Sequence, residues 1–262
     1  LGVGWDVQAS SVSIDTRYGA PLYDGEERYL LDGAQLVPVA GSGPCTDGKT
    51  GRRYMARVER EFPQIVRCGE DTTRYWFEVT DKAGTLYVYG RDPSARLTSY
   101  LPHLYAIPRF PPAYDVGQWF LERVVDTNGN LTRFAYQLDH RDGLGDPRYA
   151  EDFRQLYLSD VWYSGRAARG DAAWRFDGPY HVQLTHRPGD RTDLVTSGRL
   201  GFKAVTRKLL GSIRVELNGV RIREYVLDYE PGDFGKSLLK GVTVLAADGT
   251  PFHRHGMEYT RK

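Results

Sequence analysis

Residues 209–229 read LLGSIRVELNGVRIREYVLDY, and this stretch decides the fold class. Ile213, Val215 and Leu217 alternate with Arg214 and Glu216. That period of two places apolar and charged side chains on opposite faces of a strand. Asn218-Gly219 interrupts the run, and a second run, Val220–Leu227, follows. Asn-Gly between two such runs is a hairpin signal, because both residues accept the positive φ that a type I′ turn demands.

Working outward, the arrangement recurs. Asp32-Gly33 separates Arg28–Leu31 from Gln35–Val39, and Ala83-Gly84 separates Trp76–Thr80 from Leu86–Tyr89. Asn128-Gly129 separates Leu121–Val125 from Leu131–Tyr136, and Asp248-Gly249 separates Gly241–Leu245 from Phe252–Tyr259. Turns of this kind, repeated along one chain, predict an antiparallel meander. Leu86–Tyr89 is apolar on both faces, which predicts a strand covered on both sides. A longer period overlies the hairpins. Leu209-Leu210 opens a unit of strand, turn, strand and closing Tyr229; Leu238-Leu239 opens another that closes on Tyr259. A looser copy runs from Phe120-Leu121 to Tyr136. Such units bury a face only against their neighbours.

Some stretches break the pattern. Ser99–Pro112 carries four prolines and reads as a connector. Leu138–Ala150 is polar and reads as a long loop, with one helical turn into Glu151–Gln155. Gly165–Ala173 is another polar loop, and Asp233–Leu239 is a candidate short helix. The expected architecture is all-β, a curved sheet or sandwich rather than a closed small barrel, with little helix. It forms one domain over 1–262, with sub-units 1–137 and 156–262 joined by a polar loop.

Composition excludes several classes. With 40% hydrophobic and 26% charged residues, the chain is globular rather than disordered. A net charge of +1 supplies no field to gather nucleic acid or acidic lipid. No apolar run is long enough for a membrane span, and no signal peptide is visible. The opening Leu1-Gly2-Val3-Gly4-Trp5, without Met, reads as a piece of a longer protein. The two cysteines, Cys45 and Cys68, are either separate thiols in a reducing compartment or one disulfide in a secreted protein.

No catalytic constellation assembles, so the chain is expected not to be an enzyme and to need no cofactor. Asp126-x-Asn128-Gly129-Asn130 has the flavour of a calcium loop but lacks the bidentate Glu, and the hairpin turn already accounts for it. His253-x-His255 places two imidazoles on one strand face; Glu258 falls off that face, leaving no third zinc ligand. His181 and His186, with Asp177, Asp190 and Asp193 nearby, have no nucleophile to activate. Gly2-x-Gly4 and Gly41-Ser42-Gly43 lack the helix a phosphate site needs and read as turns. Trp5, Trp76, Trp119, Trp162 and Trp174 suggest a rival reading, a carbohydrate-binding module that attaches a larger secreted protein to a surface. Trp76 and Trp119 sit in apolar strands, which favours core roles.

Asp126-Thr127-Asn128-Gly129-Asn130-Leu131-Thr132-Arg133, followed by Tyr136, resembles the RHS (YD) repeat. Leu1–Trp5 resembles the Gly-x-Gly-Trp opening of the SpvB family, and Tyr29–Val39 its LDG-x-x-LV strand pair. Arg53–Cys68, Tyr75–Gly90, Arg91–Leu97 and Gln118–Glu122 are similar to later motifs of that family, in the same order. The resemblance extends through Arg199–Arg207 to Leu238–Tyr259. It implies the SpvB-type β-domain at the start of a toxin-complex (Tc) B component, part of a hollow β-shell that encloses a separate cytotoxic segment. The implied partners are a downstream RHS-repeat region and other toxin-complex subunits. The implied location is outside the bacterium, with storage in the cytoplasm before release. SpvB itself carries an ADP-ribosyltransferase domain, which is not recognisable here: Glu59-x-Glu61 matches its ExE pattern only by chance. Asp126, Asn128, Gly129, Asn130, Tyr136, Asn218, Gly219, Asp248 and Gly249 are therefore expected to act as repeat and turn residues.

Overall fold

The computed structural model describes residues 1–7, 9–58, 63–69, 74–99, 115–141, 153–167, 178–189 and 191–260. Within them the only helical pieces are three 3₁₀ turns, at Thr16–Tyr18, Pro93–Ala95 and Asp233–Gly235. Everything else regular is strand.

The first half closes on itself. Strands β1 (Ser11–Ile14), β2 (Tyr29–Leu31), β3 (Ala34–Pro44), β4 (Thr50–Ala56), β5 (Gln64–Cys68), β6 (Trp76–Thr80) and β7 (Leu86–Tyr89) pair antiparallel, each with the next. After β8 (Arg96–Thr98), β9 (Val116–Val125) pairs with both β7 and β1 and completes a ring of eight strands. A small closed barrel is what the sequence reading had set aside. The correction has a clear cause. The inward side chains Tyr29, Tyr54, Tyr75, Phe77 and Trp119 are large enough to fill a ring of this size. Tyr29 lies at the centre, with ring centroids 5.0 Å from Phe77 and 5.8 Å from Trp119, both edge-on. The buried polar tips are paired: Tyr29 and Tyr75 hydroxyls are 3.0 Å apart, Arg67 donates to the Tyr29 hydroxyl, and Trp119 Nε1 donates to the Tyr75 carbonyl.

The second half stays open. From β9 the pairing runs through β10 (Asn130–Arg141), β11 (Phe153–Arg166), β12 (Tyr180–His186), β15 (Leu210–Leu217), β16 (Val220–Pro231) and β17 (Ser237–Leu245) to β18 (Pro251–Gly256). The hairpin of β13 (Val195–Ser197) and β14 (Ala204–Thr206) attaches to β11 through one parallel bridge, Arg154 to Ala204. Leu184, Leu210, Leu227 and Leu239 form the buried centre of this sheet.

Leu138–Arg141 belong to β10 and Phe153–Gln155 to β11, so neither is loop or helical turn. Cross-strand pairs of Tyr136 with Leu158 and Leu138 with Leu156 override the polar composition. Gly165 and Arg166 likewise end β11, and Gly41–Gly43 lie inside β3 rather than in a turn. The candidate helix at Asp233–Leu239 shrinks to Asp233–Gly235, because Leu238 and Leu239 pair with Glu230 and Tyr229. The proline-rich stretch beyond Ser99, the acidic loop at 142–150, Glu59-x-Glu61 and Trp174 lie outside the described residues.

Candidate functional site

Strand β9 is the one element that belongs to both halves. Its alternation directs Trp119 and Leu121 into the barrel. Phe120 points the other way, into a second cluster with Tyr136 and Leu156. Both faces are therefore buried around Trp119–Leu121, as in a sandwiched strand. Each edge of β9 forks. On one edge β1 pairs with Gln118–Phe120 and β10 with Arg123–Val125. The Tyr136 hydroxyl fills the gap, donating to the Leu121 carbonyl at 2.7 Å. On the other edge β8 gives way to β7, the Gly90 amide donates to the Phe120 carbonyl, and the Asp92 amide donates to Glu122 Oε2 at 2.6 Å. Burial raises the Glu122 carboxyl above its ordinary range, while the Asp92 amide and Arg123 at 2.8 Å oppose that shift.

The Tyr136 bond explains the repeat. Tyr229 donates to the Leu210 carbonyl at 2.8 Å, and Tyr259 donates to the Leu239 carbonyl at 2.9 Å. In all three units the closing tyrosine ties down the backbone of the second residue of the opening apolar pair. Sequence reading found the order of residues but not the bond. The signal was the shared order of apolar pair, strand, turn, strand and tyrosine, with leucine and tyrosine 15, 19 and 20 positions apart.

The turn residues divide into two types. Asp32-Gly33 and Asn218-Gly219 have positive φ at both positions (47° and 83°; 50° and 76°), as a type I′ turn requires. At Asn128-Gly129, Ala83-Gly84 and Asp248-Gly249 only the glycine is positive. There the loop has three residues: the Gly129 amide donates to the Asp126 carbonyl and the Asp126 amide to the Asn130 carbonyl, with the same pair of bonds at Asp81–Thr85 and Ala246–Thr250. The uniform type I′ expectation is thus corrected to a type I turn with a glycine bulge at three of the five. An acid supports each: Asp126 accepts from the Asn128 amide, the Asn130 amide and Asn130 Nδ2 at 2.8, 2.8 and 2.6 Å. Asp248 accepts from the Thr250 amide and hydroxyl. These bonds hold both carboxyls below the usual carboxylate range.

Cys45 and Cys68 form a disulfide that pins the tip of the β3–β4 hairpin to the end of β5. Other sites considered from sequence are dispersed. His181 and His186 sit five positions apart on β12, hence on opposite faces. His181 contacts Asp160 at 2.8 Å and Glu216 at 3.4 Å. His186 lines a cleft of about 740 Å³ between barrel and open sheet, its ring tilted 46° against Tyr157 with centroids 4.6 Å apart, and burial pushes its imidazole down to about 4. Asp193 pairs instead with Arg191 and Ser237, while Asp177 and Asp190 lie outside the described residues. His253 and His255 share a face of β18 with ring centroids 4.3 Å apart, and among the described residues no third metal-binding side chain joins them.

The tryptophans do not line one surface. Trp119 is fully buried, and Trp76 lies under Arg91 and donates to Glu78. Trp162 is sandwiched between Arg133 at 4.1 Å and the parallel ring of His181 at 4.8 Å, so neither face is open for a sugar. Trp5 is exposed and donates to the Tyr259 hydroxyl.

The free edge is at β18. It pairs only with β17 among the described residues, and all six of its positions are exposed, with Phe252 at 71%. A strand with an unpaired row of backbone groups invites another strand.

A family model, SpvB, described as the Salmonella virulence plasmid 65kDa B protein, matches residues 1–185. The chain belongs to the SpvB family. No curated protein matches this SpvB-family chain in sequence. Among solved structures, the N-terminal domain of effector SpvB from Salmonella typhimurium strain LT2 is similar at 20% identity and a TM-score of 0.76, covering 94% of this chain and 89% of that one. A TcdB2-TccC3-TEV structure is similar at 19% identity and a TM-score of 0.75, over 96% of this chain. A Photorhabdus luminescens Tc holotoxin pore is similar at 20% identity and a TM-score of 0.73. The chain spans 14% of the length of those two larger chains. At such identities the likeness is one of fold.

Proposed function

We propose that this chain is a non-catalytic structural module of a bacterial toxin-complex protein, one part of a β-shell that encloses and helps deliver a separate cytotoxic segment. The observation that carries the reading is the edge of β18, which pairs only with β17 among the described residues and has all six positions exposed. The occurrence of the same fold as a 14% piece of much longer Tc chains supports it. The partners on this reading are a downstream RHS-repeat region of the same protein and other toxin-complex subunits, and the setting is extracellular after release. The module acts as one unit rather than as sub-units 1–137 and 156–262. Strand β9 serves both sheets, and β10 and β11 pair across the proposed boundary. The turn residues and the three tyrosine bonds hold the strand register on which such a wall depends.

The test is a cryo-EM reconstruction of the full-length parent protein. The expected result is a continuous wall around a closed cavity, with the β18 edge hydrogen-bonded to a further strand. A free-standing domain with β18 open to solvent overturns the proposal.

A further inference from the structure

We infer that the outer face of the barrel holds a binding site for a small amphipathic anion. The site is a cavity of about 500 Å³, distinct from the open sheet edge and from the cleft that holds His186. Its floor is the outward side of β5, β6 and β7, with Val66, Leu86 and the end of β9 at Val125 giving an apolar bed. One wall is the β3–β4 hairpin, held down by the Cys45–Cys68 disulfide. The other is formed by the β6–β7 and β9–β10 turns. These touch so closely that a Cβ on Gly84 would fall 2.8 Å from Thr127 Cγ2. The walls are therefore fixed before any ligand arrives, which lowers the entropy lost on binding.

The polar groups of the cavity select the charge. Two carboxylates line it, Glu78 and Asp126, and both are already engaged. Glu78 is 4% exposed and accepts from Trp76 Nε1 at 2.9 Å, the Thr46 amide at 2.9 Å and the Thr46 hydroxyl at 2.6 Å. Asp126 is engaged by the three N–H donors of its turn. Arg91 is the opposite case. Its Nη1 donates to Thr46 Oγ1 at 2.9 Å and its guanidinium stands 5.4 Å over Trp76, with no ion-pair partner among the described residues. A guanidinium has five N–H donors, so most of this fork is left for an incoming acceptor. The side chain is held in place by Thr46 and the indole, which suits it to grip a carboxylate or similar head. The body of the ligand then lies over Val66, Leu86 and Val125. Glu78, bonded to the same Thr46 hydroxyl, weakens the attraction, and Arg91 is the one cation among the lining residues.

The experiment is calorimetric titration of the 262-residue chain with octanoate, 1-octanol and octylammonium, which share a tail and differ in charge. Octanoate is expected to bind saturably, and the alcohol and the amine at least about tenfold more weakly, the usual worth of one charged hydrogen bond. Arg91→Gln should abolish that preference, while Arg199→Gln, outside the cavity, should leave it intact. Gln64→Trp, on the exposed rim, should reduce binding of all three, and it decides the matter if Arg91→Gln does not fold. The inference is overturned if octanoate does not bind saturably, if octanol binds equally well, if a folded Arg91→Gln keeps the preference, or if Gln64→Trp leaves binding unchanged.

Discussion

The barrel and the open sheet are made from the same hairpin vocabulary, yet they end differently. In the barrel the ring closes, every strand has two neighbours, and six buried aromatic rings fill the inside. In the open sheet the buried centre is four leucines, most of their apolar neighbours are only half-covered, and β18 has one side unpaired among the described residues. Closure lets the barrel satisfy itself. The open sheet leaves apolar surface and backbone groups for something else to complete.

The largest effect that sharpens this contrast is in the cores. Trp119→Ala should lower stability by about 3–5 kcal/mol, and Leu227→Ala by about 2–3 kcal/mol, because the half-covered neighbours of Leu227 can close over the space it leaves. Chemical denaturation of both variants measures this, and equal losses would break the contrast. Next, replacing Cys45 and Cys68 by Ser opens a link between residues 23 apart. Loop entropy of that length is worth about 3 kcal/mol. The loss should appear in the unfolding of the barrel, and a variant as stable as the parent would remove the disulfide from the account.

The tyrosine bonds come third. Tyr136→Phe leaves the buried Leu121 carbonyl unpaired and should destabilise by about 1–2 kcal/mol, whereas Tyr259→Phe, nearer solvent, should lose about 0.5 kcal/mol. Thermal melts that rank them the other way would argue against the fork as a weak point. A fourth effect depends on pH. His186 titrates near 4 in the folded chain and near 6.5 when unfolded, so between those values the unfolded state binds more protons. Stability should be full above about pH 6.5 and fall as pH drops toward 4. His186→Phe, which keeps a ring against Tyr157, should flatten that slope. If the melting temperature of the variant falls over the same window as the parent's, burial of His186 is not the cause. The smallest effect is at the edge. Phe252→Lys should change stability by less than about 0.5 kcal/mol, since the side chain is exposed. It should also reduce any concentration-dependent association seen by light scattering, because charge on an edge strand discourages pairing.

Much of this was legible in advance. Alternation in Ile213–Leu217 and glycine at the turns specify strands and hairpins through local sterics alone, and all five predicted turns are present. The order Leu-Leu, strand, turn, strand, Tyr exposed the repeat, although the hydroxyl-to-carbonyl bond behind it has no local signal. Local composition misled at Leu138–Arg141, where the strand continues through Asp139 and His140, opposite Gln155 and Arg154, in line with the apolar pair Leu138 and Leu156. It misled again at Leu238-Leu239, where pairing with β16 excludes a helix. The anion cavity had no sequence signal, since its walls come from hairpins far apart in the chain.

The sequence by itself determined the alphabet of this protein: strand, turn, strand. Those choices depend on φ, side-chain period and neighbours a few residues away. Only the tertiary structure decided that the first eight-strand set closes while the second does not. Closure depends on whether Trp119, Tyr29 and Phe77 can meet across a ring, and on β9 forking to serve two sheets. Both are contacts between residues distant in sequence, and no local pattern encodes them.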